Sequence, residues 1–352
     1  MTESLTPTWK AALAPHARAR TDRAVLQLLT SLLPYLALTT LMYLTLGTSV
    51  LLTALLIVLA AGFLVRTFVI FHDCTHGSLF PSRRANRWVG MVLGLFVLAP
   101  FRQWQHEHAV HHATSGDLDR RGVGDVETLT VREYQAKGRG GRLAYRLFRT
   151  PAIMFGIGPI VAMMILPRIP VKEARLRQRR SVLLTDLSIL AAIVGFGQFL
   201  GWGPFLLVWL PAALLAGSAG VWLFYVQHQF EDAYWARGDD WVYAEAALQG
   251  STYLKLPWLL NFFSASIGLH HVHHLNPRVP NYNLARAHQS DPIFATVPTI
   301  GIREGLRATR FKLYDEDAGK LVTWAQAREA FARLEPANEL TGLRVEPQGA
   351  VG

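Results

Sequence analysis

Residues Ala24–Val65 run for 42 positions without an Asp, Glu, Lys or Arg. A helix of about 20 apolar residues crosses a hydrocarbon core of roughly 30 Å, so this run is long enough for two spans. Gly47 and Thr48 divide it, which predicts helices over Ala24–Leu46 and Ser49–Phe71. A second run, Val182–Phe230, carries only Asp186, and Gly201-Trp202-Gly203-Pro204 splits it into Val182–Leu200 and Phe205–Val226. Two helical hairpins with very short, uncharged outer turns follow. The alternative, buried helices of a soluble core, rarely runs this long without a charge. The expected fold class is therefore all-α integral membrane, with four transmembrane helices.

The charges give an orientation. The 352-residue chain has net charge +10 and 35 Lys and Arg. Four precede the first span (Lys10, Arg18, Arg20 and Arg23), and Arg66 sits near the inner end of the second, where it can snorkel to the headgroups. Eighteen lie between Thr67 and Ser181, twelve follow Glu231, and the outer turns have none. The positive-inside rule then predicts that both termini and the middle segment are cytoplasmic. With 51% hydrophobic and 17% charged residues the chain is not disordered. A single cysteine, Cys74, excludes an internal disulfide and reads as a buried thiol.

Trp88–Phe101 is apolar but too short to span, and reads as re-entrant or interfacial. Pro151–Pro167 is interrupted by Gly156, Gly158 and Pro159. Spanning would put the basic loop Arg168–Arg180 outside, so this segment reads as interfacial. Asp186 is expected at the inner edge of the third span or as a buried polar contact. Met1–Arg23 has no apolar core of a signal peptide. The expected organisation is a cytoplasmic segment over 1–23, a membrane domain over 24–300 and a polar cytoplasmic tail over 301–352, with an amphipathic helix near Thr323–Leu334.

Thirteen histidines are present, and nine form a pattern. His72 and His76 are four apart at the inner end of the second span. His108, His111 and His112 share a helix face, and His270, His273 and His274 repeat that spacing. His228 stands at the inner end of the fourth span. All lie at or below one face of the membrane, reached from separate parts of the chain. Neutral nitrogen ligands suit a transition metal, with iron, zinc, copper and nickel all open. Nine imidazoles exceed the four-coordinate shell of a structural zinc, whereas two metals with four or five ligands each would use them all. His16 and His288 read as surface residues. His106 and His271 lie off the faces of their groups and read as packing or hydrogen-bonding residues.

These residues resemble the membrane-bound fatty acid desaturases. The boxes His72-x-x-x-His76, His108-x-x-His111-His112 and His270-x-x-His273-His274 match that family in order, spacing and position relative to the spans, over roughly Leu51–Ala295. His111-His-Ala-Thr-Ser-Gly-Asp-Leu-Asp-Arg-Arg-Gly and Gly268-Leu-His-His-Val-His-His-Leu-Asn-Pro-Arg-Val-Pro-Asn-Tyr-Asn-Leu are similar to bacterial acyl-lipid desaturases of the omega-6 (delta-12) type. The resemblance implies two iron ions, molecular oxygen and two electrons per turnover. It also implies that the nine histidines are iron ligands, and that a cytoplasmic helical cap sits on the four-helix membrane domain. In related animal acyl-CoA enzymes an asparagine-held water completes one iron shell, and Asn261 is the candidate here because it precedes the third box.

An unactivated methylene has no acidic hydrogen and no leaving group, so a cofactor must carry the hard step. No Gly-x-Gly-x-x-Gly fingerprint, serine elbow or His-Pro-Gly-Gly haem motif is present. Electrons are therefore expected from a separate ferredoxin or cytochrome b5 type protein. The expected reaction places a cis double bond in the acyl chain of a lipid, acyl-CoA or acyl carrier. The basic inner surface would attract lipid headgroups, CoA phosphates or an acidic donor, or it reflects topology alone. Asp117, Asp119, Arg120, Arg121, Asp125 and Glu127 follow the second box and read either as partners that orient the histidines or as a solvated loop. A sister hydroxylase or ketolase shares the ligand set. A metal transporter needs ligands near the midplane, which is bare here. Nucleic acid is not an expected partner, because the basic residues follow topology rather than a motif.

Overall fold

The computed structural model describes residues 6–334. Helix α1 (Thr6–Leu13) leads into α2 (Thr21–Thr45) and α3 (Val50–His76). Next come α4 (Arg83–Phe96), α5 (Phe101–Thr114), α6 (Val131–Ala136) and α7 (Arg139–Phe148). Short π- and 3-10-helical turns over 153–168 precede α8 (Leu176–Leu200) and α9 (Trp202–His228). Then follow α10 (Tyr243–Gln249), β1 (Tyr253–Leu254), α11 (Trp258–Phe263), α12 (His270–Leu275) and α13 (Leu284–His288). The described chain closes with β2 (Thr299–Ile300), α14 (Ile302–Ala308), β3 (Phe311–Asp315), β4 (Lys320–Thr323) and α15 (Trp324–Leu334). β1 pairs in parallel with β2, Tyr253 opposite Thr299, and β3 pairs antiparallel with β4, Phe311 opposite Thr323.

Helices α2, α3, α8 and α9 are each long and apolar enough to cross a membrane. Both hairpin turns fall where the glycines stand: Gly47 has φ +89° and Gly201 φ +84°, a region L side chains avoid. The Ser49 hydroxyl accepts from the Leu52 N–H and caps α3. The ends opposite these turns extend past the apolar runs. α3 continues beyond Phe71 to His76, α8 starts at Leu176 rather than Val182, and α9 ends at His228. Hydropathy marks only the apolar part of a helix, and nothing breaks α3 before Gly77, at φ +69°. His72, His76 and His228 thereby ride on helical extensions of the spans.

The run Trp88–Phe101 splits into α4, a turn with Leu98 at φ 57° and the start of α5. α4 lies along α3, and Phe96 meets Tyr35 of α2 edge to face at 6.1 Å, so the end of α4 dips to the level of the spans. Segment 153–168 is bent by 62° from α7. Its end is tied back: Arg168 pairs with Asp186 at 2.6 Å and also donates to the Leu98 carbonyl. Gln103 donates to the Ile169 carbonyl at 3.2 Å. Asp186 is thus a polar contact to protein, and Arg168 stays beside the start of α5.

Arg66 departs from expectation. It does not snorkel: it is 5% exposed, with its guanidinium held between α2 and α11. Residues 301–334, expected as a tail, pack against the rest of the molecule. Helix α15 is where amphipathicity put it, but the β3–β4 hairpin was not foreseen. Arg149, 1% exposed, donates to the carbonyls of Glu127 (3.0 Å) and Phe311 (3.1 Å), to Tyr225 Oη (3.2 Å) and to Gln229 Oε1 (2.9 Å). One side chain thus joins α7, α9 and β3. The Pro/Gly-bearing end expected to be loose lies outside the described residues.

Candidate metal centre

Four helices bring the nine predicted histidines together. His72 and His76 of α3, His108 and His112 of α5 and His273 of α12 form one group, and His111 of α5, His228 of α9 and His270 and His274 of α12 form another. Within each, one ring nitrogen per residue lies within 4.8 Å of all the others. Helix periodicity explains the division. His108 and His112 are four apart and face one group, while His111 is turned toward the other; α12 does the reverse with His270 and His274 against His273. The groups adjoin, since the His112 and His274 rings stack at 4.2 Å and 19°.

Hydrogen bonds from outside fix which nitrogen points inward. Asp125 Oδ1 is 2.5 Å from His111 Nδ1. The Gly250 carbonyl is 3.2 Å from His228 Nδ1, and Asp73 Oδ1 is 3.4 Å from His72 Nδ1. Such links orient ligating imidazoles and set their tautomer. Gly124, at φ +73°, brings its loop so close that a Cβ there would meet His111 Cβ at 3.1 Å, which places Asp125. Trp104 stacks on His108 at 4.3 Å and 25°. The Phe224 ring lies against His111 (5.1 Å) and His228 (5.4 Å).

Inward ring nitrogens either lack hydrogen-bonding partners or meet only one another. His76 Nε2, His111 Nε2 and both ring nitrogens of His273 are buried without one. His270 Nε2 lies 2.9 Å from His228 Nε2 and 3.1 Å from His274 Nε2. Neutral imidazoles cannot satisfy three converging Nε2 atoms with N–H bonds alone. Burial, then the neighbouring imidazoles, holds His108, His112, His270, His273 and His274 well below the ordinary histidine value, so they are neutral donors. A converging, nitrogen-rich set of five and four imidazoles fits a pair of transition-metal ions.

A sequence model of fatty acid desaturases matches residues 46–301. The chain belongs to the fatty acid desaturase family. It is an oxidoreductase of that family. It is 46% identical over 324 residues to a fatty acid desaturase of Bacillus subtilis, covering 92% of each chain. It is 31% identical over 232 residues to an sn-1 acyl-lipid omega-3 desaturase (ferredoxin) of Synechocystis, and 28% identical over 232 residues to an sn-1 oleoyl-lipid 12-desaturase of that organism. Those alignments span 62% and 64% of the Synechocystis proteins.

Other residues of this desaturase fall less close to expectation. Of the acidic loop, only Asp125 touches a histidine of the two groups. Asp117 pairs with Arg120 at 2.5 Å and Asp119 with Arg237 at 2.5 Å, Arg121 binds Glu133, and Glu127 offers its carbonyl to Arg149. His106 is exposed rather than packed. His271 is buried, with Nε2 3.0 Å from Nδ1 of His288, and neither His288 nor His16 is fully at the surface. Asn261 bonds Ser266 Oγ at 3.3 Å and lines a groove beside Arg66. Cys74 is a buried thiol, as expected. Sequence reasoning missed Asp73. Its Oδ2 accepts from Asn281 N (2.7 Å) and Nδ2 (2.9 Å) while Oδ1 faces His72; its signal was a carboxylate inside the first box.

Proposed function

We propose that the protein is a membrane-bound di-iron desaturase that places a cis double bond in a long acyl chain, with delta-12/omega-6-like regiochemistry. The observation that carries this reading is the division of nine histidines into adjoining groups of five and four. His72, His76, His108, His112 and His273 would hold one iron, and His111, His228, His270 and His274 the other. Iron with oxygen supplies an oxidant strong enough to remove hydrogen from an unactivated methylene. In the overall balance, two hydrogens from the chain, two electrons and two protons reduce one O2 to two waters.

The protein's own residues position and insulate. Asp125, Asp73 and the Gly250 carbonyl hold ring orientation. Trp104 and Phe224 wall the rings with apolar surface that excludes water. Residues 24–300 would form the catalytic membrane unit, with its active site and both termini on the cytoplasmic side of a bacterial inner membrane.

The substrate would be an acyl lipid, the reading favoured by the Synechocystis relatives, and the donor a separate ferredoxin or cytochrome b5 type protein. A cleft of about 390 Å³ reaches His76 and is rimmed by Arg83, Arg87, Arg102 and Arg278, a charge that suits an acidic donor. Expression in a host of defined lipid composition, followed by gas chromatography with double-bond mapping, tests the reaction. A new double bond that vanishes in His111→Ala, together with bound iron, is the expected result. A new hydroxyl group, or unchanged product in His111→Ala, would overturn it.

A further inference from the structure

We propose that the groove beside Arg66 seats the phosphodiester headgroup of a membrane lipid. Arg66 stands ten residues before His76 on α3, about 15 Å along the helix axis, and is 5% exposed. Its Nε donates to Ser31 Oγ at 3.1 Å, one terminal nitrogen to Gln27 Oε1 at 2.5 Å, and the other to the Phe262 carbonyl. The Phe262 ring lies 4.2 Å from its Cζ. A guanidinium carries five N–H groups, so two remain. All three acceptors are neutral, and no carboxylate pairs with Arg66 among the described residues. A buried cation without a counter-charge is costly, and such residues within spans usually mark a ligand or a partner.

The surroundings say which anion. A groove of about 290 Å³ opens onto Arg66 and also carries Gln27, Asn261, Ser266, Asn281 and Tyr282. Its mouth is apolar. Trp258 at the edge is 80% exposed, and Leu259 and Leu260 beside it are exposed as well. Phe263 of the same helix packs against Phe63 at 5.1 Å, and a Cβ at Gly62 would meet the Phe263 ring at 2.8 Å. The exposed face of α11 therefore flanks α3 where its apolar run approaches the histidine-bearing end. An exposed tryptophan at that level marks the interface. A groove with an apolar mouth and a cationic end selects an amphiphile with an anionic head, and a guanidinium binds phosphate in a bidentate way. Asn281 in the groove wall also donates to Asp73, which faces His72. A lipid here would lie against the support of the metal centre. That it is the acyl-lipid substrate rests on the proposed desaturase reaction; that it binds does not.

The test uses the full-length protein in detergent, offered phosphatidylglycerol and a monoglucosyl diacylglycerol with identical chains, with retained lipid read by native mass spectrometry. Phosphatidylglycerol should be retained about tenfold more, the scale of one charge-assisted hydrogen bond. Arg66→Gln should abolish the preference and Arg66→Lys should keep part of it. Should Arg66→Gln not fold, Asn261→Trp, which fills the groove and leaves the contacts of Arg66 in place, should abolish the preference too. Equal retention of both lipids by the parent, tighter retention of oleate than of phosphatidylglycerol, or an unchanged preference in the folded variants overturns the site. New unsaturation in cellular phosphatidylglycerol separates two sources of the same chemistry. If unsaturation falls with binding, the seat holds substrate; if it stays, the seat holds a resident lipid; both support the site. A parent that binds phosphatidylglycerol but makes no double bond would sink the desaturase reading and leave the seat standing.

Discussion

Nδ1 of His111 and Oδ1 of Asp125 lie 2.5 Å apart, and this contact leaves Nε2 as the inward atom of His111. Asp125 is the member of its charged loop that reaches either histidine group. Asp125→Asn keeps the shape and removes the charge, so metal affinity should fall about 10–100-fold. Chelator competition and metal content by mass spectrometry read the change. Asp119→Asn loses its contact with Arg237 instead and should keep its metal. Equal metal retention in both variants would remove Asp125 from the site.

The packing of α4 against α5 gives a second prediction. A Cβ at Gly90 would stand 2.2 Å from Phe101 Cε2 and 3.0 Å from Cys74 Cβ. Phe101 is buried and packs edge to face on Phe71 at 6.1 Å, so its ring has nowhere to go. Gly90→Ala should therefore destabilise by about 1–3 kcal/mol and loosen the helix that carries the second box. Gly140→Ala, with nothing within 4 Å of the added atom, should be neutral or slightly stabilising. Thermal unfolding in detergent compares the two, and a stable Gly90→Ala protein would contradict this packing.

The spans and the nine histidines were legible because each leaves a periodic or compositional mark. Charge-free runs set the hairpins, and spacings of three and four set the helix faces. The allocation of His111 apart from its neighbour His112 was not legible, because it depends on how α5 is rotated between α3 and α9. Arg66 read as an interfacial cation because its partners, Gln27, Ser31 and Phe262, come from α2 and α11, far away in sequence. The β3–β4 hairpin was hidden for a similar reason: its anchor, Arg149, lies more than 150 residues earlier. Asp73 sat in plain view but carried no periodic signal of its own.

The cleft above His76 gives a prediction about electron delivery. Among the nine histidines His76 alone is half-buried. Arg83, Arg87, Arg102 and Arg278 rim the cleft, and none forms an ion pair among the described residues. Burial, then the charges of Arg87 and Arg177, lowers Arg102 from its ordinary value, as expected for crowded cations. Arg87→Glu with Arg278→Glu should raise the KM for an acidic ferredoxin about tenfold at low salt, with metal content and kcat at saturating donor unchanged. Added salt should narrow the gap between variant and parent. A KM that does not move would place donor docking elsewhere.

Lys312 makes stability depend on pH in an unusual direction. Its Nζ is buried and donates to the carbonyls of Arg149 (2.6 Å) and Thr309 (2.5 Å). Burial, then the neighbouring Arg149 charge, lowers it from 10.5 to about 8. The unfolded lysine keeps the ordinary value. Between those limits the unfolded chain binds more protons than the folded one, so stability rises with pH there. Below the folded value the cost of the buried charge is present in full. Burial raises the phenols of Tyr145 and Tyr314, which opposes the trend only as pH nears the ordinary tyrosine value at the top of this window. The melting temperature in detergent should rise by about 2–4 °C between roughly pH 7.5 and 9.5. Lys312→Met should lose that slope. A parent whose melting temperature falls over the same interval, or a variant with the same slope, would mean that Lys312 folds as an ordinary exposed lysine.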